Sequence, residues 1–258
     1  MRIAALLIAL VATSSLGAEC TVRSGPQTAA LVELYTSEGC SSCPPADRWL
    51  SSFATTSATQ GVVPIAFHVS YWDYIGWKDA FADERYTERQ RALAKATGAR
   101  MVYTPQVRLD GRDFPAWSDA RTASKAIAAA NAVMSRAQID IAWKPPSEAG
   151  ASGTASATLR PGVKADDLAL FVAITQNGLS SRVTAGENRG EKLAHSFVAR
   201  DLAVIRVGGT PSSPVLRGAF AFKPKADWNL EHMSLVAFVQ NLKTGEILQA
   251  LAAPICRG

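Results

Sequence analysis

LYTSEGCSSCPPAD, residues 34–47, places Cys40 and Cys43 three positions apart, after an apolar run and before two prolines. The preceding run TAALVELYT (28–36) has the length and composition of a buried parallel strand. The following segment PPADRWLSSFA (44–54) predicts a helix, because prolines are tolerated in the first turn of a helix. The two cysteines are therefore expected where a strand gives way to a helix.

This position has a chemical consequence. The first turn of a helix carries unpaired N–H groups and a partial positive charge, which stabilise a thiolate. Cys40 is therefore expected to act as a nucleophile, and Cys43 is expected to resolve the mixed disulfide that forms. This interpretation requires sulfur atoms that solvent can reach. A metal site and an inert disulfide remain alternatives, although a disulfide that closes so short a loop stabilises a chain less than a long-range one.

Further along the chain the pattern alternates between strands and helices. GVVPIAFHV (61–69) predicts a second buried strand, and residues 82–98 predict a helix. Two strand-like pieces flank the turn at Asp110-Gly111, and an Ala-rich helix with Ser118 as its N-cap follows. This order predicts an α/β layer.

The pattern changes near residue 137, where strand-like segments follow one another, separated by Gly, Pro and Ser turns. We therefore expect an α/β N-terminal domain at 19–136 and an all-β sandwich-like C-terminal domain at 137–258.

Residues 1–18 have the layout of a secretory signal peptide: Met1-Arg2, a short apolar run and small residues ending at Ala18. The protein is therefore expected to be exported to the periplasm or secreted, with no stable membrane insertion after cleavage. The chain has 258 residues and a formal charge of +5, but its Lys and Arg residues are scattered, which gives no support for nucleic-acid binding.

Export favours disulfides, and four cysteines remain after cleavage. Cys20 and Cys256 lie near the two ends of the mature chain, and domain termini are often close in space. A structural Cys20–Cys256 disulfide is thus expected, which leaves Cys40 and Cys43 to pair with each other. The alternative is that Cys20 and Cys256 are free or pair between chains.

Five segments together resemble one known family: VELYTSEGCSSCPPAD, WDYIGWKDAF, VYTPQ, GENRGEKLAH and VAFVQNLKTGE. They are similar to an uncharacterised family of secreted bacterial thioredoxin-like proteins, domain of unknown function 1223. The resemblance covers essentially the whole mature chain and implies a thioredoxin-like domain followed by a β-rich domain. It implies no established activity.

The wider resemblance to the thioredoxin superfamily implies roles for single residues. Cys40 and Cys43 match the redox pair. Thr104-Pro105 matches an X–Pro pair that is usually cis and that offers main-chain hydrogen bonds to an extended substrate. Glu33 lies close to the position of a buried carboxylate that assists proton transfer; the alternative is a structural ion pair with an Arg or Lys.

Other side chains are candidates for binding. Trp72, Tyr74 and Trp77 belong to an aromatic loop that either contacts substrate or packs inward as a small core. His68, at the end of the second strand, either tunes the thiolate, joins Cys40 and Cys43 in a Cu(I) site, or bonds a backbone carbonyl.

A polar segment in the second half, which contains Asn188 and His195, is expected to dock the two domains. The favoured function is an exported thiol–disulfide oxidoreductase or redox-partner protein that acts on protein thiols without a cofactor. The alternatives are a copper(I)-handling protein that uses the same cysteines and a non-catalytic binding module with a structural disulfide.

Overall fold

The structure, a computed structural model, describes residues 19–144, 150–206, 208–210 and 213–255. The predicted signal peptide at 1–18 lies outside the described residues. Among the residues that are described, no helix is long and apolar enough to cross a membrane.

The described chain contains more strands than helices. The α-helices are α1 (Pro44–Ser51), α2 (Ser57–Gln60), α3 (Glu84–Ala96) and α4 (Ala120–Asn131). The strands are β1 (Cys20–Arg23), β2 (Ala30–Thr36), β3 (Val62–His68), β4 (Gln106–Leu109), β5 (Arg112–Asp113), β6 (Ala137–Trp143), β7 (Ala151–Leu159), β8 (Leu168–Gln176), β9 (Leu179–Arg182), β10 (Lys192–His195), β11 (Val198–Arg206), β12 (Gly208–Thr210), β13 (Ser213–Phe222), β14 (Met233–Asn241) and β15 (Ile247–Pro254).

These strands form two large sheets and a separate hairpin. The larger sheet has eight strands in the order β15-β14-β8-β11-β3-β2-β4-β5. The second has five strands in the order β1-β6-β7-β13-β12, and β9 pairs with β10 alone. The eight-stranded sheet is mixed. Strand β3 runs parallel to both β2 and β11, and all the other neighbouring strands of the sheet are antiparallel.

The eight-stranded sheet is buried on both faces. On β8, Leu170 and Val172 pack with the five-stranded sheet, whereas Phe171 points to the opposite face and packs with α3. Helices α1 and α4 cover β2 and β3 on the face opposite α3, where Leu50 and Ile127 are buried. Successive side chains of a strand point to opposite faces, so these uninterrupted apolar strands suit a sheet with a core on each side.

The predicted fold class is wrong. The chain does not divide into a thioredoxin-like α/β domain and a separate β-sandwich, because strands from both halves form one sheet. The connection is the parallel pair β3–β11, in which Val198 lies opposite Ala66 and the Ala66 N–H donates to the Phe197 carbonyl at 2.9 Å. The domain boundary at residues 136–137 stays a prediction.

Local predictions agree better with the observed elements. Both prolines lie in the first turn of α1, and β4 and β5 form a hairpin around Asp110-Gly111. The N-cap of α4 is Asp119 and not Ser118, because the Asp119 carboxylate accepts a hydrogen bond from the Thr122 N–H at 2.7 Å.

Asp110 in this hairpin gives a pH-dependent prediction. Burial raises the pKa of Asp110 to about 6; the negative charge of Glu33 adds to this, and a hydrogen bond from the Leu31 N–H opposes it. Because the folded-state pKa lies above that of the unfolded chain, this carboxyl stabilises the fold below about pH 4, and the contribution is lost as the pH rises through 6.

Asp110→Asn keeps an oxygen that accepts from Leu31 and removes the charge. At pH 8 we expect the substitution to raise the free energy of unfolding by about 2 kcal/mol, a value reduced for the partial exposure of the side chain. At pH 4 we expect little difference between the two proteins. Urea titrations at the two pH values measure this, and an equal effect at both would contradict the pKa assignment.

Candidate functional site

The two cysteines lie where β2 leads into α1. Cys43 is the residue directly before the helix, and its side chain makes no capping hydrogen bond. A tight turn, in which the Cys43 N–H donates to the Cys40 carbonyl at 3.2 Å, brings the two residues together. They form a disulfide with a Cα–Cα distance of 5.4 Å. The helix-start position that the motif predicts is thus observed.

The disulfide is covered, contrary to the expectation that solvent reaches the sulfurs. Cys40 is 1% exposed and Cys43 is 0% exposed. Trp72 packs closely on Gly39. A Cβ added to Gly39 would lie 3.0 Å from the Cβ of Trp72. From the other side, the Asn188 amide donates to the Cys40 carbonyl at 3.0 Å. Any exchange with a large partner therefore requires part of this cover to move.

One side of the cysteine turn remains accessible. Ser41 and Ser42 are both exposed, and the Ser42 hydroxyl lies 3.3 Å from the Cys40 sulfur. The Ser41 N–H donates to a Glu187 carboxylate oxygen at 3.0 Å. Of the two cysteines, Cys40 is therefore the one whose sulfur contacts an exposed residue, Ser42.

The Thr104-Pro105 peptide bond is cis. The Trp72 indole N–H donates to the Thr104 hydroxyl at 2.7 Å, so Trp72 links this segment to the cysteine turn. Trp77 also points inward and donates to a Glu38 carboxylate oxygen at 2.9 Å. Tyr74 is 81% exposed. In the aromatic loop the two tryptophans thus pack inward and the tyrosine faces solvent, and substrate contact by the loop stays a prediction.

Glu33 pairs with an arginine. The Arg89 guanidinium donates to Glu33 Oε1 at 2.6 and 3.1 Å, and both side chains are buried. Glu33 shares a face of β2 with Leu31 and Tyr35, toward α3, whereas α1 packs on the other face. This placement matches the structural alternative and puts Glu33 across the sheet from the helix that follows Cys43.

Another buried polar cluster lies on the α1 face. Asp47, one turn into α1, approaches His68 at the end of β3 and His195 at the end of β10. One potential ligand atom from each lies within 4.8 Å of the others, and all three side chains are buried. His68 Nδ1 lies 2.7 Å from the Asp79 carboxylate, and His195 Nε2 lies 3.2 Å from Glu38.

Electrostatics keeps this cluster charged. Burial lowers the pKa of His195, but the carboxylates of Asp47 and Glu38 outweigh it and raise the pKa to about 9. Burial would raise the pKa of Asp79, yet His68 and two backbone N–H donors lower it overall. The cluster therefore holds the ionised Asp79 carboxylate out of water, which is costly unless cations or donors compensate.

Sequence reasoning missed most of this cluster. It singled out His68 but grouped it with Cys40 and Cys43 for Cu(I), and it assigned the segment around His195 to domain docking. Among the described residues, the group with metal-ligand spacing contains His68 but neither cysteine. The available signal was the position of Asp47, one helical turn after Cys43.

Cys20, the first residue of β1, is disulfide-bonded. Cys256 lies outside the described residues. The Cys20–Cys256 disulfide therefore stays a prediction.

Comparison with known proteins identifies the family. The family described as protein of unknown function, DUF1223, matches residues 31–240. The chain belongs to this family. No curated protein matches it. Because the DUF1223 match begins in β2 and ends in β14, it includes the cysteine turn and all three residues of the buried cluster.

Two solved structures share the fold of this DUF1223 protein. One is a crystal structure of a protein from Agrobacterium tumefaciens, with 23% identity and a TM-score of 0.63, covering 91% of this chain and 98% of that one. The other is HBP35 of Porphyromonas gingivalis, with 12% identity and a TM-score of 0.65, covering 90% of this chain and 76% of that one. At these identities the similarity concerns the fold alone.

Proposed function

We propose that this protein is an exported thiol–disulfide oxidoreductase or redox partner, with Cys40 and Cys43 as its exchanging pair. The single observation that carries the proposal is the disulfide between these residues at the start of α1. The partial positive charge at the start of a helix favours a thiolate there. In α1 this charge comes from the aligned peptide dipoles, because Pro44 and Pro45 have no N–H and the Ala46 N–H donates to the Cys43 carbonyl at 2.9 Å. The signal-peptide layout of residues 1–18 supports export.

The exchange proceeds in two steps. In the dithiol form the Cys40 thiolate attacks one sulfur of a partner disulfide, which forms a mixed disulfide and releases one partner thiol. The Cys43 thiolate then attacks the Cys40 sulfur, which releases the second partner thiol and regenerates the Cys40–Cys43 disulfide. The partner gains two electrons and the protein loses two; the reverse sequence oxidises a partner dithiol.

Two neighbouring features suit this chemistry. The exposed turn of Ser41 and Ser42 gives a partner access beside Cys40. Thr104, held by Trp72, is the candidate for main-chain contacts to a partner peptide, and exposed Tyr74 is the candidate for side-chain contacts.

The burial of both cysteines favours a second candidate, a non-catalytic binding module with a structural disulfide. In that case the covering groups, Trp72 and Asn188, keep the sulfurs permanently from solvent. The two functions differ in whether a thiolate at Cys40 reacts in the folded chain.

Cys43→Ala tests the difference. After incubation of the folded, metal-free variant with glutathione disulfide, we expect one glutathione on Cys40, located by peptide mapping under non-reducing conditions, because no second thiol can release it. The matched variant Cys40→Ala should carry none on Cys43, because it is the Cys40 sulfur that contacts the exposed Ser42. A folded Cys43→Ala chain with no adduct on Cys40 would support the structural disulfide instead.

A further inference from the structure

The cluster on the α1 face contains two buried nitrogen atoms that make no hydrogen bond. Neither His68 Nε2 nor His195 Nδ1 has a hydrogen-bond partner, and both atoms are buried. A buried polar atom without a partner costs free energy, so an unpaired histidine nitrogen in such a place needs an explanation. Each of the two histidines also offers one potential ligand atom within 4.8 Å of the other and of an Asp47 carboxylate oxygen.

We propose that Asp47, His68 and His195 form a binding site for one divalent transition-metal ion, and that Zn²⁺ is the ion whose preferences they match. The ligand atoms are a carboxylate oxygen of Asp47, His68 Nε2 and His195 Nδ1. Two imidazoles and one carboxylate are a ligand set that zinc accepts, with one position left for water.

The outer contacts of the two histidines support this assignment. Each histidine contacts a carboxylate through its other ring nitrogen, His68 with Asp79 at 2.7 Å and His195 with Glu38 at 3.2 Å. This carboxylate–histidine pairing orients a metal-binding imidazole and fixes which nitrogen carries the proton. The Thr36 hydroxyl similarly donates to Asp47 Oδ2 at 3.0 Å, which leaves Oδ1 toward His195.

The acidic side chains of the cluster also favour a bound cation. Three buried carboxylates, from Glu38, Asp47 and Asp79, lie around the two imidazoles. A divalent cation bound among them compensates carboxylate charge that is held out of water.

The distances fit an ion after small rotations. His195 Nδ1 lies 3.8 Å from Asp47 Oδ1, and potential ligand atoms of the three residues, one from each, lie within 4.8 Å of one another. Ligand atoms of tetrahedral zinc are roughly 3.3 Å apart, given bonds of about 2.0–2.2 Å. Side-chain rotations that move these atoms by about 1 Å toward one another complete the site.

Titration of the untagged, metal-free protein with Zn²⁺, with its disulfides intact, tests the proposal. We expect one Zn²⁺ per chain, and affinity at least about 100-fold lower in His68→Ala and in His195→Ala. Asp79→Asn should lower the affinity about 10–100-fold through the orientation of His68.

Two control variants are available. The chain has three histidines, and the third, His232, lies outside the cluster, so His232→Ala should bind Zn²⁺ as the unchanged protein does. The double variant Cys40→Ala, Cys43→Ala should also keep the ion. Loss of Zn²⁺ binding in the cysteine double variant or in His232→Ala would overturn the assignment. Zn²⁺ binding that is retained in the cysteine double variant would show that the metal site does not depend on the redox proposal.

X-ray absorption of the Zn²⁺-loaded His232→Ala protein decides the question even if a ligand variant fails to fold. In that protein His68 and His195 are the only imidazoles. We expect scattering from two imidazoles with nitrogen and oxygen in the first shell and no sulfur. A sulfur shell, an absence of imidazole scattering, or no stoichiometric binding would contradict the site.

Discussion

Replacing Arg89 by alanine is expected to lower the free energy of unfolding by about 3–5 kcal/mol. The guanidinium is 7% exposed, its Nη2 lies 2.6 Å from Glu33 Oε1, and Glu33 is fully buried. The Tyr35 hydroxyl donates to the same oxygen at 3.3 Å, too weak a contact to hold a buried charge alone. Without Arg89, Glu33 must either stay charged in an apolar core or bind a proton.

Aromatic rings add to the expected loss. The Arg89 guanidinium carbon lies 4.6 Å from the ring centre of Phe171 and 4.9 Å from that of Phe238. These contacts disappear with the side chain, and a cavity remains between α3 and the sheet.

Arg85 on the same helix gives a matched comparison. Its ion pairs with Asp83 and Asp201 are as short, at 2.7 and 2.8 Å, but the side chain is 51% exposed. Arg85→Ala should therefore cost about 1 kcal/mol or less. Chemical denaturation measures both, and equal losses would contradict the distinction between the buried pair and the exposed one.

Removing both charges should cost less than removing one. The double variant Glu33→Leu, Arg89→Met leaves no unpaired charge and keeps most of the side-chain volume. We expect it to be more stable than Arg89→Ala; a double variant that is less stable would show that the pair contributes more than it costs to bury.

Gly111→Ala is the second substitution with a large expected effect, about 3–5 kcal/mol. Gly111 has a φ of +80°, and a Cβ there would lie 1.8 Å from the Gly245 carbonyl oxygen. The left-handed conformation costs an alanine about 1–2 kcal/mol, and the clash with backbone requires one of two turns to move.

Gly162→Ala isolates the conformational part. Gly162 has a similar φ of +84°, but no atom lies within 4 Å of its added Cβ. We expect it to lose only about 1–2 kcal/mol. Similar thermal and chemical stabilities of the two variants would mean that the contact between Gly111 and Gly245 is not as close as the structure has it.

This contact is further evidence against the predicted two-domain fold, because it joins residues from both predicted halves of the chain. Gly111 belongs to the β4–β5 hairpin and Gly245 to the turn between β14 and β15, which are turns at opposite edges of the eight-stranded sheet. The sheet therefore curls until its two edges meet near the end of α3, where Thr97 lies close to Gly245. Apolar periodicity identifies such strands, but it carries no information about which distant strands pair.

The same limit applies to the site. The Cys-x-x-Cys motif is local, so the disulfide and the helix that follows it could be predicted from the sequence. Asp47, His68 and His195 come from three separate segments, and only the pairing of β3 with β11 brings His195, three residues before β11, to the end of β3. The burial of Cys40 was equally hidden, because Asn188, which covers it, belongs to a loop almost 150 residues away.

The reduction potential of the Cys40–Cys43 couple, measured by equilibration with glutathione buffers under native conditions, tests the proposed function most directly. We expect the folded protein to exchange between disulfide and dithiol with a potential above about −300 mV, the range of disulfides that glutathione can reduce. A disulfide that stays fully oxidised at every glutathione ratio, and that is reduced only after the chain unfolds, would contradict a redox function.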